Sequence, residues 1–170
     1  RRVLFRSDGD DRELVSLALD GRRLGEPDFE LGADRLTIPA VPDTFTLETA
    51  VSIAPRKNTK LMGLYASKDG FFTQSEAEGF RRITYFVDRP DVMARYTCTI
   101  RADRERYPHL LSNGNPTARG ELPEGRHWVT WVDPFPKPSY LFAVVAAKLD
   151  RLDDAFVTRS GKRAQLSVFV

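Results

Sequence analysis

The residues best suited to chemistry lie in Thr73-Gln74-Ser75-Glu76-Ala77-Glu78-Gly79-Phe80. If the strand before them runs on through Glu76, then Gln74 and Glu76 project from one face, because alternate residues of a strand share a side. A carboxylate and an amide side by side can hold an ammonium ion: Glu76 supplies the charge and Gln74 an oriented carbonyl. The same residues also fit a solvated strand edge leading into a helix start, with Glu76 and Glu78 favouring the helix N-terminus. Composition and spacing leave both readings open.

Other chemistries find few donors. His109 and His127 are the only histidines, neither is followed by Glu, and Cys98 is the only cysteine. A zinc site needs about four such ligands at close spacing, so no catalytic metal is expected on this chain. His127 is expected to cap or edge a strand beside Trp128, and His109 to lie at a loop exit after Pro108. Cys98 stands between Thr97 and Thr99 in an alternating run and reads as a core residue. A reactive thiolate would need an exposed, electropositive setting. The nucleophile elbow G-x-S-x-G and the phosphate-binding patterns G-x-x-x-x-G-K and G-x-G-x-x-G do not occur.

The frame that must position these residues is bounded by composition. The chain has 170 residues, 41% hydrophobic and 29% charged, as in one globular domain able to bury its own core. Lys and Arg number 26 against 24 Asp and Glu, for a net charge of +2, which exerts little pull on nucleic acid or anionic lipid. The run Arg101–Arg106 is broken by Asp103 and Glu105 and reads as a solvated loop. The longest uncharged apolar run, Tyr140–Ala147, is far short of the ~20 residues that span a bilayer. A single cysteine argues against an oxidised secreted scaffold, and a cytoplasmic location is expected.

Period-two patterning dominates. Strands are expected at Glu13–Leu19, Arg35–Ile38 (ended by Pro39), Thr44–Ile53, Leu61–Ser67, Phe71–Ser75, Arg95–Arg101, His127–Val132, Tyr140–Leu149, Phe156–Thr158 and Ala164–Val170. Asp20-Gly21, Lys68-Asp69-Gly70 and Ser160-Gly161-Lys162 read as turns. Helical signal is confined to Glu76–Phe86 and Asp91–Arg95, one to three turns each. Asp133-Pro134-Phe135-Pro136-Lys137-Pro138 reads as a rigid loop. The expected fold is all-β: an antiparallel, saddle-like or sandwich domain with one or two short helices. Residues 1–8 are expected to be an unstructured extension or truncation edge, and residues 9–170 one β domain. The strand pattern that runs into Val170 suggests a cut at a domain boundary.

From Gly63 onward the sequence resembles the N-terminal domain of the bacterial aminopeptidase N family of zinc-dependent aminopeptidases. The match is carried by G-L-Y-A-S at Gly63–Ser67, T-Q-S-E-A-E-G-F-R-R-I-T-Y-F-V-D-R-P-D-V at Thr73–Val92 and Y-P-H-L-L-S-N-G-N at Tyr107–Asn115. It continues in G-R-H-W-V-T-W-V-D-P-F-P-K-P at Gly125–Pro138, Y-L-F-A-V-V-A at Tyr140–Ala146 and T-R-S-G at Thr158–Gly161. The segment Leu14–Asn58 fits more loosely, and Arg1–Ser7 does not match.

The resemblance implies a saddle-shaped β domain that packs on a thermolysin-like catalytic domain of the same polypeptide. That catalytic domain would carry H-E-x-x-H, a third zinc-binding Glu and G-A-M-E-N, none of which occurs here. It implies zinc in the full-length enzyme, no cofactor on this chain and no activity for it alone. The substrate it implies is a peptide N-terminus, whose α-amino group Glu76 would bind while Gln74 would line the pocket for the first side chain. Glu78 would back that loop. Arg81, Arg82, Asp88 and Arg89 would brace it or the contact with the next domain. A buried carboxylate separates a chain terminus from a chain interior by charge, since stranding one partner of a desolvated pair costs roughly 2–5 kcal/mol. The other reading is a free-standing sandwich that binds carbohydrate or a peptide strand, with Trp128 or Trp131 as an exposed platform. Spaced three apart on a strand, the two would face opposite sides.

Overall fold

The computed structural model describes residues 3–8 and 12–170, with side chains from residue 12 on. In chain order the strands are β1 (Val3–Asp8), β2 (Glu13–Leu19), β3 (Arg22–Arg23), β4 (Glu30–Leu31), β5 (Arg35–Val41), β6 (Leu47–Ser52), β7 (Gly63–Ser67) and β8 (Gly70–Gln74). They continue with β9 (Met93–Asp103), β10 (His109–Ser112), β11 (Asn115–Leu122), β12 (Arg126–Pro138), β13 (Val144–Ala147), β14 (Arg151–Val157) and β15 (Arg163–Phe169). The described residues contain no α-helix. Three single 3-10 turns occur, at Pro55–Lys57, Phe80–Arg82 and Ser139–Leu141.

All strand pairings are antiparallel, in five small sheets ordered β1-β5-β4, β3-β2-β6, β10-β13-β8-β7, β11-β12-β9 and β14-β15. The all-β expectation therefore stands. Its helices do not: Glu76–Phe86 contains one 3-10 turn, and Met93–Arg95 opens β9. Residues 1–8 were expected to be unstructured, yet Val3–Asp8 forms β1 and pairs with β5, from Val3 against Val41 to Asp8 against Arg35.

Proline misled the strand boundaries twice, for one physical reason. Pro39 does not end β5, and the D-P-F-P-K-P run is not a loop but the last stretch of β12. In both places the ladder register shifts across the prolines. On β5 the pairing jumps from Ile38 to Val41, and on β12 from Asp133 to Lys137. A residue without an N–H is tolerated in a strand where a bulge removes the need for its ladder bond. The bulge on β12 is closed by an ion pair between Lys137 and the buried Asp133, and by Arg95 Nε donating to the Pro134 carbonyl at 2.9 Å.

Alternation in β2, β5 and β6 supplies one core. Leu17, Leu36, Ile38, Val41, Leu24 and Tyr85 are buried there, with Leu14, Leu47 and Val51 packed against them. A second core lies between the sheets of β8/β10/β13 and β9/β12, around Tyr107, Leu110 and Ala146, with Ile100, Ala102 and Val129. The Asp20-Gly21 turn joins β2 to β3 with both residues at positive φ (48° and 78°), as a type I′ turn requires. The connection from β8 to β9 runs between the two cores. Its Tyr85 enters the first, while Phe80 and Phe86 join Tyr96 and Phe142 in an aromatic cluster with ring centroids 5.0–6.4 Å apart. That connection carries the Gln74–Glu76 element.

Candidate functional site

Strand β8 ends at Gln74, so Glu76 lies beyond the ladder rather than within it. Gln74 is exposed, Ser75 is buried and Glu76 is exposed. The outward alternation expected for positions 74 and 76 therefore survives, although the strand does not extend that far. The helix-start reading does not hold, since residues 75–79 form a turn closed by the Gly79 amide donating to the Ser75 carbonyl at 2.8 Å. The Glu76–Ala77 peptide bond is cis.

The turn is tightly seated. Gly79 is buried, and a Cβ placed on it would meet the Gln74 carbonyl oxygen at 2.2 Å and the Gly63 nitrogen at 2.9 Å. Only glycine lets three stretches of backbone approach this closely. The Glu76 carboxylate forms no hydrogen bond or ion pair with any described residue. Its exposure departs from the expected buried carboxylate: this chain by itself does not remove it from water.

Behind the turn lies a charged brace. Asp88 is 2% exposed; its Oδ2 accepts from the Arg81 amide at 3.0 Å and from Arg81 Nε at 3.2 Å. The Ser139 hydroxyl donates to Asp88 Oδ1, and Arg81 Nη2 donates to the Asp88 carbonyl at 2.8 Å. The guanidinium also reaches the exposed Glu78 carboxylate at 3.4 Å. Arg12 donates to the Arg81 carbonyl and stacks over Tyr85 at 3.8 Å. Of the four residues expected to brace the loop, Arg81 and Asp88 do so. Arg89 pairs with Asp91 on the exposed surface at 2.5 Å. Arg82 packs its Cβ where a side chain on Gly63 would sit. Ser75 and Ser139, which anchor the turn and its brace, carry no signal in residue spacing. Serines carry no charge or periodicity that would mark them in a sequence.

The residues weighed for other chemistries are occupied structurally. His127 is buried, with Nε2 at 2.8 Å from the Tyr107 carbonyl. His109 opens β10, accepts from the Leu149 amide at 3.4 Å through Nδ1, and meets the Phe169 ring edge-on at 5.2 Å. Cys98 is half-buried; desolvation pushes its thiol pKa up, partly offset by a hydrogen bond with Ser112. Among the described residues, no group of three or more His, Cys, Asp or Glu could hold a metal ion. Trp131 Nε1 donates to the Leu110 carbonyl at 2.9 Å, and the Trp128 indole lies over Gly120, 2.8 Å from where a Cβ would stand. Both indoles are half-buried in the β12 region, Trp131 tied to β10 and Trp128 packed on β11. No helix among the described residues is long and apolar enough to cross a membrane.

The site is thus an acidic turn on an antiparallel β domain, held from behind by Arg81 and the buried Asp88. The chain belongs to the peptidase M1 N-terminal domain family, whose model matches residues 33–141. It is 57% identical over 162 residues to aminopeptidase N of Caulobacter vibrioides, covering 95% of this chain and 19% of that protein. Identity to aminopeptidase N of Escherichia coli K12 is 53%, over 98% of this chain and 19% of that one. The crystal structure of Legionella pneumophila aminopeptidase A in complex with aspartic acid matches with a TM-score of 0.94 at 42% identity, over 98% of this chain and 20% of that one. An M1 zinc metallopeptidase from Deinococcus radiodurans shares the fold at 17% identity and a TM-score of 0.79. The chain thus spans about a fifth of the length of the curated relatives it matches.

Proposed function

We propose that this chain is the non-catalytic N-terminal domain of a zinc-dependent aminopeptidase, an enzyme that releases N-terminal residues from peptides. Its contribution to the reaction is recognition of the substrate's α-ammonium by Glu76, with Gln74 lining the space for the first side chain. The observation that carries this reading is the Glu76 carboxylate: exposed, without a partner among the described residues, and mounted on a turn fixed by buried contacts. A carboxylate held in that way costs little to reorganise when a cation arrives.

The remaining parts lie in other segments of the same polypeptide. The donors of this chain do not fit a zinc site, because one ring nitrogen each of His109 and His127 is taken by a backbone group and no three His, Cys, Asp or Glu among the described residues converge. Zinc would be held by the catalytic domain, where it polarises the carbonyl to be cleaved. Packing of that domain against this one would bring the desolvation that Glu76 lacks here and sharpen its preference for an ammonium over an internal amide. The compartment that fits a chain with one buried-type cysteine is the cytoplasm.

The test is Glu76→Ala in the full-length enzyme, read as kcat/KM on an aminoacyl anilide. A tenfold or greater loss is expected. A loss below about threefold, under ~0.7 kcal/mol, overturns the ammonium role.

A further inference from the structure

The turn that bears Glu76 is held at both ends by one short piece of chain. At its start, the buried Ser75 donates from its hydroxyl to the Phe142 carbonyl at 2.9 Å, across 67 residues of sequence. At its end, Arg81 is gripped by Asp88, whose other carboxylate oxygen accepts from Ser139. Ser139 and Phe142 are the two ends of one 3-10 turn, closed by the Phe142 amide donating to the Ser139 carbonyl at 3.0 Å. Between the two anchors, the Phe80 and Phe142 rings meet edge to face at 5.0 Å. Ser139 is 1% exposed and Asp88 2%.

We infer that the Ser139–Phe142 turn, locked by Asp88, fixes the Glu76 carboxylate in place for the substrate's ammonium, with Asp88 and Ser139 as positioning residues. This rests on the reading of Glu76 proposed above. Neither residue reaches solvent, so neither touches substrate. Both act through the backbone of residues 75–82. The mechanism is geometric, since an exposed turn discriminates only while its carboxylate stays put. A displacement of about 1 Å in a binding group can cost up to ~100-fold.

The experiment uses the full-length enzyme and two inhibitors that differ only in the α-amine: leucine hydroxamate and 4-methylpentanohydroxamate. The ratio of their dissociation constants, by calorimetry, reads amine recognition and cancels everything the two share. Glu76→Gln is expected to collapse the ratio. Asp88→Asn and Ser139→Ala should each lower it by about tenfold. In the Glu76→Gln background either should add less than about twofold, as residues acting through one group are non-additive. Amide hydrogen exchange across residues 75–82 should quicken in both variants. If Glu76→Gln collapses the ratio while Asp88→Asn and Ser139→Ala leave it unmoved, the positioning role is overturned and the Glu76 reading stands. A ratio indifferent to Glu76→Gln overturns both. Should Asp88→Asn fail to accumulate, Ser139→Ala decides, because it removes one hydroxyl and leaves the Asp88–Arg81 pair intact.

Discussion

Gly79 sits so close to Gln74 that a Cβ added to it would stand 2.2 Å from the Gln74 carbonyl oxygen. The obstacle is backbone, which a side-chain rotation does not relieve. Gly79→Ala is therefore expected to destabilise the chain by about 1–3 kcal/mol, the usual cost of overpacking. The φ of −82° at Gly79 suits alanine, so the loss comes from space and not from backbone preference. Urea unfolding checks it: a midpoint equal to that of the unsubstituted chain would show that the turn has room to relax.

The Asp88–Arg81 pair carries the second prediction. Asp88→Ala leaves the buried Ser139 hydroxyl without its acceptor and takes a carboxylate from the half-buried Arg81 guanidinium, which keeps Glu78 and the backbone carbonyl of residue 88, a change that typically costs ~1–3 kcal/mol. For a domain of this size the thermal midpoint should fall by about 6 °C. The exposed Arg104–Glu121 pair is the control, because both side chains are more than half exposed. Arg104→Ala should shift the midpoint by no more than about 2 °C, since exposed pairs contribute ~0–1 kcal/mol. Equal shifts in the two variants would contradict the burial argument.

Much of this architecture was legible from alternation alone. Glu13–Leu19 is strand β2 from end to end, and the Lys68-Asp69-Gly70 turn joins β7 to β8 as read. Strands failed to announce themselves where the side chains on both faces are polar or where proline intervenes. Asn115–Leu122 is exposed for most of its length and shows no apolar period, yet it pairs with β12 from Asn115 to Leu122. Backbone hydrogen bonds to a neighbouring strand hold such an edge, and single-sequence patterning does not see a neighbour. At the site, the outward placement of Gln74 and Glu76 was legible from alternation, and the Asp88 brace was expected from the family resemblance. Ser75 and Ser139 were not, because their role arises from residues 51 and 67 positions away.

Cys98 offers a test in solution. Desolvation holds its thiol pKa above the ordinary 9.0, against a smaller opposing hydrogen bond with Ser112. The folded state favours the neutral thiol, so its contribution to stability is intact below about pH 9 and declines as pH rises past the unfolded value. Tyr96 acts in the same sense from 10.0 upward, through burial first and the nearby Asp88 charge second. Stability should therefore be level from pH 7 to 9 and fall above it, less steeply in Cys98→Ala. Ellman's reagent at pH 7.5 should label the folded chain slowly and the urea-unfolded chain at once. Immediate labelling of the folded chain would refute the assignment.

The β14–β15 ribbon carries the last prediction. Directly paired residues of an antiparallel ladder share a face, so Leu152 and Val168, Leu166, and Phe156 lie together on one side, with Asp154 opposite Leu166 as the one charge among them. They are 69%, 55%, 45% and 58% exposed. The opposite face is engaged: Asp153 accepts from Arg151 at 2.8 Å and from Ser167 at 2.7 Å, and Phe169 meets His109. A two-stranded ribbon is marginal by itself in water, and an apolar row of this kind favours association. At tens of micromolar the 170-residue chain should self-associate, and Leu152→Lys with Leu166→Lys should suppress it while leaving the far-ultraviolet circular dichroism unchanged. Sedimentation velocity decides the matter. If the doubly substituted chain associates as strongly as the original, the ribbon is not the adhesive surface.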